Sequence, residues 1–231
     1  MEIFYEDDLI RLVQGNCIDS EELAFWTSAD VLVTDPPYGV AYVSNSSKYG
    51  STKPIAGDED AGLRDIALDA WREANGDTAP ALVFGRWDVE RPVGTRQRLI
   101  WDKGDSPGMG DLSMPWGKGD EEIYVLGGGF AGKRQTNVIR ALGYGAASHR
   151  RPNHPTPKPV ALMEALIEKC PEGVIADPFT GSGATLIAAR NLGRKAWGVE
   201  IDPYYCEIVA RRLGQQTFDF GEEELHVGGS Y

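Results

Sequence analysis

The chain has 231 residues, a net charge of −12 and 42 % apolar residues. That is enough apolar content for the core of one large domain, so a wholly disordered chain is excluded, and the acidic balance argues against a generic nucleic-acid coat. No apolar run approaches the roughly 20 residues of a membrane helix. The acidic start, Met1 to Asp8, has no signal-peptide pattern, so a cytoplasmic location is expected. Cys17, Cys170 and Cys206 are odd in number and far apart, which fits free thiols in a reducing compartment. No Cys/His pair has zinc-site spacing and His149, His154 and His226 are scattered, so no metal is expected.

In chain order, 29–34 (Ala-Asp-Val-Leu-Val-Thr) reads as a buried strand ended by Asp-Pro-Pro. Residues 40–57, rich in Ser, Tyr and Gly, read as a mobile loop. Leu63, Ile66, Ala67, Ala70, Trp71 and Ala74 fall at helical spacing, and 80–85 and 99–101 read as strands. Residues 103–120 form a Gly/Pro-rich loop too long for a mere connector, and 123–126 is another strand. The segment 127–157 is glycine-rich, basic and weakly periodic, and reads as an inserted or mobile region. Pro159 suits the first turn of a helix lined by Val160, Met163, Leu166 and Ile167. Strand 174–176, helix 184–192, strand 196–199 and a helix lined by Tyr205, Ile208, Val209 and Leu213 follow, and 215–231 reads as a frayed acidic tail. Alternating strands and helices predict an α/β, Rossmann-like fold. Its sheet is mostly parallel, with helices on both faces, and ligands bind at the carboxyl ends of the strands. We expect one domain over 1–214.

Charge is unevenly spread. Ile123 to Met163 contains no Asp or Glu but holds Lys133, Arg134, Arg140, Arg150, Arg151 and Lys158. Pro36 to Gly57 also lacks acids and holds Lys48 and Lys53. Two basic windows in an acidic chain suggest a focused path for an anionic ligand, although charge runs often simply face solvent.

The string Asp177-Pro178-Phe179-Thr180-Gly181-Ser182-Gly183 lies between a strand and a helix, and the next strand ends at Glu200, 19 residues after Gly181. This is the layout of a nucleotide-binding βαβ unit: glycines admit a ligand to the backbone, and the distal carboxylate accepts from ribose hydroxyls. The spacing is not that of a dinucleotide binder, and the carboxylate of Asp177 suits a ligand with a positive amino group better than one with phosphates. S-adenosylmethionine has that chemistry.

The string Asp35-Pro36-Pro37-Tyr38 follows the first buried strand. An exocyclic base amine is a poor nucleophile because its lone pair is delocalised into the ring. Acceptors aimed at its N–H groups favour the developing positive charge. Asp35 offers a carboxylate and Pro36 a carbonyl fixed by restricted φ, while Tyr38 offers a face for stacking on a base. No covalent nucleophile is required. A Pro-terminated strand with a turn-forming Asp is the simpler alternative for this string alone.

With both strings in place the chain resembles the amino-directed (N6-adenine and N4-cytosine) DNA methyltransferases, in the motif order of the β group. Trp101-Asp102-Lys103, Glu121-Glu122-Ile123-Tyr124 and His154-Pro155-Thr156-Pro157-Lys158-Pro159 are similar to further family strings, so the resemblance spans most of the chain. It implies S-adenosylmethionine as cofactor, bound by Asp177, Phe179, Gly181, Ser182, Gly183 and Glu200 and bordered by Thr156 and Lys158. Asp35, Pro36, Pro37 and Tyr38 are implied to hold the target base. Double-stranded DNA is the implied partner, with 127–153 (Lys133, Arg134, Arg140, Arg150, Arg151) and loops 40–57 and 103–120 as recognition surface. A homodimer is compatible with the resemblance, but no coiled coil or interface stripe indicates one. Two departures stand out: Gly15-Asn16 occupies the place of a frequent Gly-Asp, with Asp19 an alternative equivalent, and the chain is short for a group that often carries a separate recognition domain. By the same resemblance, Asp35 as the first residue of its string favours N6-adenine over N4-cytosine, whose enzymes often carry Ser there. Methylation of RNA or of a protein amide, a nicotinamide dehydrogenase, and a decayed methylase acting as a binding module are the remaining readings.

Overall fold

The computed structural model describes residues 1–37, 62–104, 113–142 and 157–215. Its strands are β1 (Glu2–Glu6), β2 (Ile10–Gln14), β3 (Val31–Thr34), β4 (Ala81–Gly85), β5 (Gln97–Asp102), β6 (Asp120–Leu126), β7 (Val138–Arg140), β8 (Ile175–Asp177) and β9 (Ala196–Glu200). The helices are α1 (Ser20–Thr27), α2 (Leu63–Asn75), α3 (Val160–Ile167), α4 (Ala184–Asn191) and α5 (Pro203–Gln215). Among the described residues no helix is long and apolar enough to cross a membrane.

All nine strands form one sheet in the order β1-β2-β9-β8-β3-β4-β6-β5-β7. Pairing is parallel throughout β2-β9-β8-β3-β4 and between β5 and β7, and antiparallel for β1-β2, β4-β6 and β5-β6. The expected mostly parallel α/β sheet is therefore present. From β3 the chain moves to β4 on one side, and from β8 to β9 on the other. The order thus reverses between β3 and β8, the place where open α/β sheets leave a ligand crevice.

Both faces are covered, and the central strands are buried at every position. All four residues of β3 and all five of β4 are buried, the continuous pattern of a doubly covered sheet rather than an alternating one. Val31, Val33, Leu82, Phe84 and Ile123 pack with Leu162, Leu166, Ile187, Val209 and Leu213 of α3, α4 and α5. The alternate residues Leu32, Ala81, Val83 and Tyr124 pack on the other face with Trp26 of α1 and Leu68 and Trp71 of α2. Trp26 and Trp71 stack with ring centroids 6.3 Å apart.

Four elements were not expected from sequence: β1, β2, α1 and β7. The region 127–157, read as inserted or mobile, contributes β7 in its described part, and β7 pairs in parallel with β5 through Ile100↔Val138 to Asp102↔Arg140. Pro159 lies one position earlier than expected. It is extended (φ −63, ψ 136) and caps α3, which begins at Val160.

Gly198 is required by close approach. A Cβ on this β9 residue would meet Leu186 Cδ1 at 2.8 Å and also the Thr180 hydroxyl, within the turn after β8. Gly198→Ala is expected to cost about 1–3 kcal/mol, as overpacking of a dense interior does. It should also loosen the 177–183 turn. Denaturant unfolding of the variant checks the first effect and cofactor titration the second.

Candidate active site

Parallel register brings the sequence motifs to one edge of the sheet. β3 ends at Thr34 and β8 at Asp177, and the Thr34 hydroxyl donates to Asp177 Oδ1 at 2.7 Å across 143 residues of chain. β8 pairs with β9 up to Asp177↔Gly198, so Glu200 comes off the next strand at the same edge. β2 pairs with β9 through Gln14↔Glu200, and the amide of Gly15 donates to the Glu200 carbonyl at 3.0 Å. The Gly15-Asn16 turn therefore sits beside Glu200, whereas Asp19 is the cap position of α1. Because β6 runs against its neighbours, it is its first residues, Asp120 to Glu122, that reach this edge, opposite Trp101, Asp102 and Gly85.

The turn between β8 and α4 forms a backbone cradle. Gly181 (φ 51) donates its amide to Glu200 Oε2 at 2.8 Å, and Asp202 donates its amide to Oε1 at 2.9 Å. Gly183 caps α4 in the left-handed region (φ 83), where a side chain would be strained. Burial pushes the Glu200 carboxyl up to about 7 against these two backbone donors. Burial likewise pushes Asp177 up to about 6, against hydrogen bonds from Thr185, Thr34 and the Phe179 amide, with the negative charge of Asp35 adding to the rise. Two buried carboxylates, Glu200 held by backbone amides and Asp177 by two hydroxyls and one amide, beside a glycine turn, fit a cofactor with a ribose diol and a cationic amino end.

Asp35 lies beyond Thr34 at the crevice. Its Oδ2 is 2.5 Å from Lys158 Nζ, from the segment just before α3. Lys158 Nζ is also 3.1 Å from Glu121 Oε2, and Lys103 Nζ is 2.6 Å from Glu121 Oε1. The Lys158 ammonium sits 4.9 Å from the centre of the Phe84 ring, and that of Lys103 4.8 Å from Trp101. Burial alone would lower the Lys158 pKa, but Asp35 and Glu121 outweigh it and hold it above the ordinary lysine value. The opposite holds for Glu121: burial would raise its carboxyl, and Lys158 and Lys103 keep it below the usual carboxylate range.

Asp35, Pro36, Pro37, Asp177, Phe179, Gly181, Ser182, Gly183 and Glu200 thus lie along one edge. Lys158, expected at the border of the cofactor pocket, has its ammonium on Asp35 and buried, so it is not part of an exposed basic surface. Lys133 and Arg134 are exposed; Arg140 ends β7 with Nε 3.8 Å from Asp102. Tyr38, Thr156, Arg150, Arg151 and loop 40–57 lie outside the described residues. Sequence reasoning gave no role to Thr34, Lys103 or Glu121. The signals for Lys103 and Glu121 were the strings Trp101-Asp102-Lys103 and Glu121-Glu122-Ile123-Tyr124, which resemble family strings but assign no role to either side chain. All three cysteines are buried and burial pushes each thiol up to about 12, so none is a thiolate nucleophile at neutral pH.

A family model described as DNA methylase matches residues 132–211. The type II methyltransferase M2.MboI of Moraxella bovis is 33 % identical over 247 residues, covering 92 % of this chain and 90 % of that protein. Among solved structures, the cytosine-N4-specific PvuII DNA methyltransferase superposes with a TM-score of 0.68 at 13 % identity, over 94 % of this chain and 91 % of that one. M1.HpyAVI in complex with S-adenosylmethionine gives 0.62 at 18 % identity, over 88 % and 100 %. The chain therefore belongs to the N6/N4 family of DNA methylases, enzymes that draw the methyl group from S-adenosylmethionine.

The raised carboxyls make ligand-free stability depend on pH. A carboxyl whose pKa is higher folded than unfolded contributes stability below its unfolded value, and that contribution is lost as pH rises through the folded value. For Asp177 the window runs from 3.8 to about 6. Asp177→Asn keeps an acceptor for Thr34 and the Phe179 amide and offers Thr185 a donor, while removing the titration. Its stability relative to wild type should rise by about 2 kcal/mol between pH 4 and pH 8. Denaturant unfolding of both proteins across that range measures the difference, and a pH-independent gap would contradict the assignment.

Proposed function

We propose that the protein transfers a methyl group from S-adenosylmethionine to the N6 amino group of adenine in double-stranded DNA. The observation that carries this reading is the union of Asp35 and Asp177 at the point where the strand order reverses, secured by the Thr34–Asp177 hydrogen bond. In this reading Glu200 accepts from the ribose hydroxyls, Asp177 faces the amino acid end, and Phe179, Gly181, Ser182 and Gly183 line the pocket. Bound S-adenosylmethionine supplies an electrophilic methyl on a sulfonium. Asp35 and the carbonyl of Pro36 accept from the target amine, which favours the cationic nitrogen formed as the N–C bond is made and the C–S bond breaks. Tyr38 stacks on the flipped base. Proximity of two bound reactants supplies a large part of the rate. Asp as the first residue of the Asp35–Tyr38 string supports adenine over cytosine.

The exposed Lys133 and Arg134, with Arg140 of β7, support a DNA path along 127–153, to which Arg150 and Arg151 also belong by sequence. A chain of net charge −12 then binds phosphate through a local basic surface rather than its overall field.

Nucleoside mass spectrometry of duplex DNA treated with enzyme and S-adenosylmethionine tests the reaction. N6-methyladenine is expected. Asp35→Ala should lower turnover by about 10³-fold, the scale of losing an acceptor at developing charge, while retaining cofactor binding. N4-methylcytosine alone would reverse the choice of base, and near-wild-type turnover by the variant would remove Asp35 from catalysis. RNA and a peptide carrying an amide, supplied in competition, should take up no label.

Lys133→Ala/Arg134→Ala should weaken DNA binding about equally for all sequences and reduce the slope of log affinity against log salt by about 2. Fluorescence anisotropy at several salt concentrations checks this.

A further inference from the structure

Four charges, Asp35 among them, meet here from four separated parts of the chain. Asp35 follows β3, Lys158 precedes α3, Glu121 opens β6 and Lys103 follows β5. They form a line: Asp35 to Lys158 at 2.5 Å, Lys158 to Glu121 at 3.1 Å, Glu121 to Lys103 at 2.6 Å. Lys158 is the buried centre of it, with its side chain 8 % exposed. Glu121 Oε2 is fully buried and accepts no well-formed hydrogen bond among the described residues, so its nearness to Lys158 is what offsets its desolvation.

Such a group is a poor device for stability alone. Taking an ammonium out of water costs several kcal/mol, and an apolar side chain of similar volume often serves a core equally well. The geometry is more specific: Oδ2 of the carboxylate at the crevice meets the Lys158 ammonium. We propose that Lys158 and Glu121 are positioning residues for Asp35. Lys158, shared between the two carboxylates, directs Asp35 and holds it charged, and Glu121 limits how much of that ammonium's field Asp35 experiences. This rests on Asp35 being the acceptor for the target amine.

The chemistry sets a balance. An ammonium given wholly to Asp35 would make the carboxylate a weak acceptor for a second N–H donor. With no ammonium, Asp35 would sit beside the negative Asp177 at the same sheet edge and take up a proton more easily. Sharing Lys158 with Glu121, itself steadied by Lys103, puts Asp35 between these limits. Asp35 then acts as a hydrogen-bond acceptor while the proton released from the methylated nitrogen passes to solvent. The charged groups that bear on Asp35 include Lys158 directly, Glu121 and Lys103 through that ammonium, and Asp177 from β8.

The test is the acid limb of kcat against pH, measured at saturating S-adenosylmethionine and DNA so that titration of the empty cofactor site does not enter. Lys158→Met should lower kcat at least about 10-fold near neutrality and move the limb to higher pH by about one unit, the scale of losing one close opposite charge. Glu121→Gln should move the same limb to lower pH, because Asp35 then feels the whole ammonium. Both variants should bind S-adenosylmethionine within about threefold of wild type, as residues that act on Asp35 rather than on the cofactor. Lys158→Arg should return the limb toward the wild-type position. A merely structural role would lower activity without opposite shifts, so limbs that stay in place or move together overturn the proposal. Glu121→Gln is nearly isosteric, and an unmoved limb in it alone is sufficient to do so if Lys158→Met does not fold. Asp35→Asn separates the two readings: if it is inactive while the limbs stay in place, the positioning network fails alone. If it turns over as wild type, the acceptor role falls and the network with it.

Discussion

The hydrogen bond from Thr34 to Asp177 joins the ends of two adjacent parallel strands whose sequences are 143 residues apart. It forms because β3 and β8 are paired in register, Val31 with Ile175 and Leu32 with Ala176. Pairing in that register places the residues that follow each strand side by side: Asp35-Pro36-Pro37 on one, Pro178-Phe179-Thr180 on the other. Shifting β3 by one residue would turn Thr34 to the opposite face and bury the wrong half of each strand. The alternation of Val31 and Val33 toward one helical layer and Leu32 toward the other makes that slip costly. The packing of the core and the assembly of the site are thus one constraint.

The edge so formed is electrostatically uneven. On the β8–β9 side lie Asp177 and Glu200, both buried, both pushed upward by desolvation and held chiefly by neutral donors. On the β3–β6 side lie Asp35 and Glu121, whose charges are met by Lys158 and Lys103. The first side is poised to receive a cationic, hydroxyl-bearing ligand. The second is already balanced and gains nothing from a further cation. Buried carboxylates that lower ligand-free stability are a usual accompaniment of binding sites, which trade stability for function.

The sequence revealed most of the sheet because its central strands are short, largely apolar runs and its turns carry glycine and proline at diagnostic places. It was silent at β2, although Ile10, Leu12 and Val13 are buried, and elsewhere where burial is partial. β1 (Glu-Ile-Phe-Tyr-Glu) is an edge strand with acidic ends, and β7 (Val-Ile-Arg) is three residues long, half-exposed and embedded in basic loops. Neither has the pattern a core imposes. Helix α1 follows an Asp that makes no side-chain capping bond, and its apolar residues, Leu23 to Trp26, run consecutively instead of recurring at helical spacing. The site was legible as two strings, Asp35–Tyr38 and Asp177–Gly183, but not as a charge network. Lys158 counted toward the basic window because nothing local shows that its ammonium is buried on a carboxylate 123 residues away. Only the reversal of β6 reveals that Glu121, and not the far end of its strand, reaches the same place.

The arrangement of strands has a consequence for how the protein acquires its shape. β3 sits at the centre of the sheet, yet of its two neighbours only β4 follows soon after it; β8 comes near the end of the chain, and so does β9, the parallel partner of β2. During synthesis the apolar edges of β2 and β3 wait, with unpaired backbone groups, for segments made last. Non-local parallel pairing of this kind is slow and leaves sticky intermediates. A nascent chain stalled before residue 175 has the Asp35–Tyr38 string in hand but lacks β8 and β9, which complete the edge beside it. Stretches such as Val31-Leu32-Val33 would then be the natural sites for chaperones to engage.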